Sequence, residues 1–148
     1  MKPLTRALLP MLMISLFASV LVGCIHPEPP TAVPLPEIAG QYNTVVGLTD
    51  NNSCGDVTVQ SLPTTIQQEA GATEFVFSHA GNDYSATLEA DGSFTTEHKR
   101  LVAGSTIFTV TFTGTFSTTG FTGTGTVEMQ QSEAPTYCSY VVSMEGSK

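Results

Sequence analysis

The side chains best suited to chemistry in this sequence are three histidines, His26, His79 and His98. An imidazole binds metals and exchanges protons near neutral pH. His79 and His98 could face one another across strands, near the carboxylates of Asp83 and Glu97, which are acceptable metal ligands. No HxH or HExxH spacing supplies a third ligand, so we expect ordinary hydrogen-bonded histidines and no cofactor.

A second candidate site follows Phe94, where polar residues alternate along the chain. If the alternation of a β-strand continues, Thr96, His98 and Arg100 point inward with Phe94 and could line a ligand cavity or its mouth. Alternatively, the strand bulges after Thr96 and sends all three side chains to solvent. These three residues are the candidate ligand-binding residues, and both readings stay open.

Motifs for covalent catalysis are missing from the sequence. There is no GxSxG, Gly104-Ser105-Thr106 reads as a turn, and the carboxylates are scattered, which is typical of a solvated face. We therefore expect no catalytic residues. An enzyme with an unrecognised active site is the alternative.

The thiol of Cys24 stands at the end of an apolar segment. Lys2 and Arg6 precede an uncharged run, residues 7–22, whose helix would rise about 24 Å, short of the roughly 30 Å hydrocarbon core of a bilayer. A basic head with such a run is typical of a secretory signal. The run ends in LVGC, residues 21–24, which resembles the lipobox of bacterial lipoproteins. An ordinary signal peptide that ends near a cysteine is the alternative.

The lipobox resemblance implies a location. Residues 1–23 would be a cleaved signal peptide, and Cys24 would carry the diacylglycerol and palmitate that hold the chain on a membrane. Ile25, in place of an aspartate, implies sorting to the outer membrane of a diderm host. The cell envelope is therefore the expected location, and the lipid is the expected membrane contact.

Residues 24–38 form the expected tether. Prolines at positions 27, 29, 30, 34 and 36 each fix φ and extend the preceding residue, which predicts a semi-rigid polyproline spacer. A PxxP recognition motif is the alternative. The folded domain is then expected over residues 39–148.

Behind these groups lies a series of short strands. Between 106 and 117, Phe108, Val110, Phe112, Gly114 and Phe116 alternate with Thr or Ser, which predicts a strand with one buried face. A turn at 118–120 leads to a second alternating run, 121–130, as the other arm of a hairpin. Further strands are predicted over residues 40–48, 57–60, 64–69, 73–79, 84–90 and 137–144, and a return strand opens at Phe94.

The pattern as a whole predicts an all-β domain. Its short sequential turns favour a single antiparallel meander of about eight strands closed into a small up-and-down barrel, with a β-sandwich as second choice. Gly123 and Gly125 fall on the inward face of their strand, where the missing side chains allow curvature or a close backbone approach.

Cys54 and Cys138 remain if Cys24 carries lipid. In an exported chain, two leftover cysteines are best explained by one disulfide. A redox or metal pair is the minor alternative, since no CxxC occurs.

A Gly-x-aromatic in the first strand, Gly40-Gln41-Tyr42, precedes this meander and its terminal disulfide. In this combination the chain resembles the lipocalin-like, calycin-type small barrels, which implies the same closed barrel. We carry over no ligand residues from that group.

Charge narrows the choice of partner. The net charge is −8, and loss of Lys2 and Arg6 with the signal would leave −10, which disfavours nucleic acid. Two function classes remain. One is a non-catalytic binding barrel that takes a small hydrophobic ligand or a protein partner, for which the acidity suits a cationic protein, and the other is the enzyme with an unrecognised active site.

Overall fold

The computed structural model describes residues 34–131 and 136–148, and this part of the chain is all β-structure. No helix able to cross a bilayer occurs within it. Nine strands follow one another in sequence: β1 (Gly40–Asn52), β2 (Thr64–Gln68), β3 (Glu74–His79), β4 (Asn82–Leu88), β5 (Ser93–Thr96), β6 (Lys99–Ala103), β7 (Thr106–Phe116), β8 (Gly120–Gln131) and β9 (Thr136–Ser147).

Eight of the strands close into an antiparallel barrel. The sheet runs β5-β4-β3-β2-β1-β9-β8-β7, and the pairing of β5 with β7 completes the ring. The ninth strand, β6, pairs with the other half of β7. The predicted all-β meander and closed barrel are therefore confirmed, the fold is consistent with a small lipocalin-like barrel, and the sandwich alternative is wrong.

The strands differ in length, and this makes the two ends of the barrel unlike. Strands β7, β8, β9 and β1 have 11 to 13 residues, whereas β2 to β5 have 4 to 7. We call the end that carries loops 69–73, 89–92 and 117–119 the closed end. The opposite end, with loop 53–63 and the turns at 80–81 and 104–105, is the open end.

An aromatic plug fills the closed half. We give this name to six inward rings: Tyr42, Phe75, Phe77, Phe94, Phe116 and Phe121. All are buried, and their centroids lie 4.9–6.2 Å from their neighbours in mostly edge-on or tilted arrangements. Such contacts add to the free energy that apolar burial already supplies. Phe77, with no exposed surface, lies at the centre of the plug.

Inward glycines make room for rings in the wall of β7 to β9. A Cβ on Gly125 would lie 2.6 Å from a ring carbon of Phe112, and one on Gly123 would collide with the carbonyl of Thr113 across the β7–β8 ladder. The predicted role of Gly123 and Gly125, close approach on the inward face, is confirmed.

Two strand predictions differ from the structure. Residues 57–60 are not a strand but part of loop 53–63, because β2 begins only at Thr64 and no neighbour pairs with them. Strand β6 was not predicted separately. It is set off from β5 by a one-residue register shift on β7, since Thr95 lies opposite Thr113 whereas Lys99 lies opposite Val110.

The N-terminal segment meets the barrel at the closed end. Ile38, the last residue of the predicted tether, is buried; its N–H donates to Gln68 Oε1 at 3.1 Å and its carbonyl accepts the Tyr42 hydroxyl at 2.6 Å. The core runs from Ile38 to Met144, so the barrel contains a complete core of its own. The predicted signal peptide, Cys24 and most of the tether lie outside the described residues.

The predicted disulfide is present and joins the open end. Cys54, just after β1, is bonded to Cys138 on β9, across a sequence separation of 84 residues. Met129 Sδ on β8 lies 3.8 Å from both sulfurs. The bond thus fixes the first residues of loop 53–63 to the tall side of the barrel.

Replacing both cysteines with serine should lower the free energy of unfolding by roughly 2–4 kcal/mol, because the closed loop restricts the unfolded chain. Urea denaturation of the barrel, residues 34–148, measures this loss. Wild-type barrel under reducing conditions is the control and should lose a similar amount. Equal stability of the oxidised wild type and the double variant would contradict a stabilising role for the bond.

Candidate functional site

A cavity of about 350 Å³ lies at the open end, directly above the aromatic plug. Its floor consists of His79, Tyr84 and Phe112, whose rings lie 5.1–6.5 Å from that of Phe77. The walls are apolar and come from the inward faces of the long strands β1, β7, β8 and β9, and from β6. They consist of Val46, Leu101, Phe108, Val110, Val127, Val142 and Met144, together with Tyr140. The barrel is therefore solid in one half and hollow in the other.

Loop 53–63 covers the cavity. Thr58, Val59, Gln60 and Leu62 complete its lining. The Ser61 hydroxyl accepts the N–H of Val46 at 3.0 Å, which ties the loop to an edge of β1 that β2 is too short to pair. The disulfide holds the other end of the same loop. Val59 and Leu62, which have no neighbouring strand to pack on, thus line the cavity.

His79 is the polar group of the cavity floor, and two threonines hold its ring. The hydroxyl of Thr44 donates to Thr64 Oγ1 at 2.8 Å, and Thr64 Oγ1 lies 3.0 Å from His79 Nδ1. All three residues are buried. The register of β1, β2 and β3 brings them together, since Thr64 lies opposite both Tyr42 and His79.

Burial also sets the protonation of the cavity groups. Desolvation lowers the pKa of His79 below its usual 6.5, so the imidazole is neutral at pH 7. Burial raises the pKa of Tyr84, and the negative charge of an ionised Tyr140 would raise it further, so the two phenols share one region. Burial likewise raises the pKa of Tyr140. The cavity therefore presents neutral polar groups on an apolar lining.

The candidate residues Thr96, His98 and Arg100 do not meet in this cavity. Thr96 points inward and is buried, but its Oγ1 accepts the N–H of Phe112 at 2.8 Å. After it, the chain bulges, so that His98 lies on the outside with Nδ1 2.8 Å from Thr111 Oγ1, and Arg100 is exposed on β6. The inward alternative is therefore wrong for His98 and Arg100, and the alternative of a bulge after Thr96 is confirmed for both. Thr96 itself stays inside, because the register shift reverses only the residues that follow it.

The two histidines of the barrel lie on opposite sides of its wall. His79 is buried inside and His98 is exposed outside. Within residues 34–131 and 136–148, no three histidine, cysteine, aspartate or glutamate side chains come close enough to hold a metal ion.

A larger groove of about 620 Å³ lies on the outer face of β2 to β4. Its lining includes Glu69, Glu74 and Glu97, with glutamines and Ser85. The charged side chains of this groove are all acidic, so it suits a cationic surface contact.

The chain matches no protein-family model, no curated protein and no solved structure.

His79 should make the stability of the barrel depend on pH. Its folded pKa is depressed, so the unfolded chain takes up the proton first as pH falls below about 6.5. The free energy of unfolding should then decrease with falling pH until the folded pKa is reached. Urea denaturation between about pH 7.5 and 5 should show a shallower decrease for His79→Gln than for wild type.

The exposed histidine provides the matched control. His98→Gln removes an imidazole on the outside of the wall, so a shallower decrease in His79→Gln alone assigns the effect to the buried ring. Identical profiles for wild type and His79→Gln would show that His79 does not stay neutral in the folded barrel.

Proposed function

We propose that this chain is a lipid-anchored protein of the bacterial cell envelope whose barrel binds a small apolar ligand in the open-end cavity, without catalysis. The observation that carries the proposal is the apolar cavity above the aromatic plug. Its volume of about 350 Å³ falls in the roughly 300–1,000 Å³ range of small-molecule sites, which are mostly apolar with a few convergent polar groups.

The hollow half has a structural cost that supports this proposal. Cores normally pack without voids, and a side chain that faces a cavity loses its contacts on that side. Here, Phe108 and Leu101 stay half-buried although neighbouring inward positions on β7 are fully packed. A bound apolar molecule would restore those contacts.

The rim of the cavity is apolar as well. Large hydrophobic side chains are exposed at the open end on two segments: Leu62 on loop 53–63, which also lines the cavity, and Tyr137 at the start of β9. Exposed apolar side chains that gather around a cavity are typical of a binding site. They favour arrival of the ligand at this end.

The position of Ile38 bears on the anchor. The chain enters the barrel at the closed end, so a tether from Cys24 would attach there.

Filling the cavity should abolish binding. Leu101→Trp places a large ring in the cavity and should weaken binding of the fluorescent probe N-phenyl-1-naphthylamine by at least about tenfold, since it removes the space for the ligand. Val102→Trp is the matched control, because Val102, the residue after Leu101 on β6, is 60% exposed and points outward. Fluorescence titration of residues 34–148 measures both.

Thermal unfolding shows that each tryptophan variant is folded before the titrations are compared. Unchanged binding by a folded Leu101→Trp barrel would place the site elsewhere. Probe turnover by wild type would favour the enzyme alternative, and loss of binding only after substitution of Glu69, Glu74 and Glu97 would place the probe on the outer groove.

Anchoring is tested separately. Cys24→Ser should move the full chain from the membrane fraction to the soluble fraction, because it removes the thiol that would carry the lipid. The Cys54→Ser/Cys138→Ser chain is the control and should stay with membranes. Fractionation of expressing cells and mass measurement of the N-terminal peptide decide the outcome; a Cys24→Ser chain that stays with membranes would contradict the lipid anchor.

A further inference from the structure

The direction of the hydrogen bonds at His79 can be worked out from the buried threonines. Thr64 has no exposed surface, so its hydroxyl proton needs an acceptor within the protein. Thr44 Oγ1 is 2.8 Å from Thr64 Oγ1 but 3.4 Å from the carbonyl of Tyr42, and 2.8 Å is the usual length of an O–H···O bond. The Thr44 proton therefore goes to Thr64, and the Thr64 proton goes to His79 Nδ1.

This chain of donors fixes the tautomer of His79. A neutral imidazole that accepts at Nδ1 carries its proton on Nε2, which is then a donor. Among the described residues, every fully buried side-chain nitrogen or oxygen has a hydrogen-bond partner. Nε2 forms no hydrogen bond to any of them, so it is open to the cavity that His79 lines.

The other polar side chains that line the cavity are uncharged. Tyr84 and Tyr140 line the same space, with Thr58, Gln60 and Asn82, and both phenols keep their protons at neutral pH. Within residues 34–131 and 136–148, no lysine or arginine lines the cavity. The amine of Lys99 donates to the carbonyl of Asp83 and lies 5.5 Å from the centre of the Tyr84 ring. A carboxylate would lose its hydration here without a cation to compensate it, whereas an uncharged acceptor would not.

We propose that the cavity selects apolar ligands with an uncharged carbonyl, such as an ester, aldehyde or amide, whose oxygen accepts the N–H of His79 Nε2. This inference rests on the proposed binding function and specifies the chemistry of its ligand. His79 is the binding residue, while Thr64 and Thr44 are positioning residues that act through it.

Three probes of equal chain length test the selection on residues 34–148: methyl octanoate, octanoate at about pH 8, and n-octane, each measured by displacement of N-phenyl-1-naphthylamine. Methyl octanoate should bind about threefold to tenfold more tightly than n-octane, the increment of one hydrogen bond. Octanoate should bind more weakly than the ester.

Two variants assign the preference to His79. Thr64→Val/His79→Phe removes the donor and the acceptor of one hydrogen bond together and leaves the Thr44 hydroxyl to the carbonyl of Tyr42. The ratio of the two affinities within this variant should fall to about one, because the preference for the ester over n-octane depends on the imidazole. Thr64→Val alone removes the hydroxyl that donates to His79 Nδ1. Nitrogen-detected NMR of the ring should show the proton on Nε2 in wild type and a mixture of tautomers in this variant, a change that loss of packing alone would not cause. His98→Gln is the control and should keep the full preference.

The outcomes separate the two proposals. If no probe displaces the naphthylamine from folded barrel, the binding function and the carbonyl selection both fail. If n-octane and methyl octanoate displace it equally, or if octanoate binds best, the binding function stands and the carbonyl selection is wrong. A wild-type imidazole protonated on Nδ1 would overturn the selection by itself.

Discussion

The contacts of Phe77 with the rings around it set the design of this barrel. Its ring is fully buried and lies within 6.5 Å of rings that belong to β4, β5, β7 and β8 as well as to its own strand. Because one ring contacts opposite walls, the interior below it has no space for a ligand. Strands β1, β7, β8 and β9 extend beyond the ends of β2 to β5, so above Phe77 no ring can reach from one wall to the opposite one. The plug and the cavity are thus two results of one packing arrangement.

The distribution of glycine and phenylalanine explains how so narrow a barrel holds so many rings. Phe112 occupies the space that Gly125 leaves vacant, and Phe121 does the same beside Gly146. Large and small residues on facing strands let layers interlock at the density of a protein core. An alanine in place of either glycine would collide with the neighbouring ring. Because Phe112 belongs to the cavity floor, Gly125 shapes that floor although it does not line the cavity.

The fold was predictable where alternation and turn chemistry are local. Phe108, Val110, Phe112 and Phe116 face inward, as the sequence indicates. The β7–β8 hairpin has the expected turn, with Phe116 opposite Phe121. The disulfide was also predictable, because it needs only two cysteines and an exported chain. Residues 57–60 show the limit: their alternation of apolar and polar residues is real, but it fits them to a cavity and not to a neighbouring strand.

The candidate site was much less predictable. Thr44, Thr64 and His79 stand on three strands, and only the register between strands brings their side chains together. The alternation of Phe75, Phe77 and His79 does carry one usable signal, since it places the imidazole on the buried face. The facing of His98 stayed open for the converse reason: a one-residue bulge after Thr96 reverses the side chains of β6, and alternation alone cannot decide whether the bulge is present.

The seam between β1 and β9 has a consequence for the speed of folding. Most strands pair with their neighbours in sequence, but closure requires residues near position 45 to find partners near position 145. Rates of folding decrease as contacts join more distant parts of the chain, because the loop between them must be closed first. The Cys54–Cys138 bond crosses this same seam. In an oxidising compartment, a chain that has formed the bond holds its two distant strands together throughout the search, so the slowest contact of the barrel becomes a short-range one.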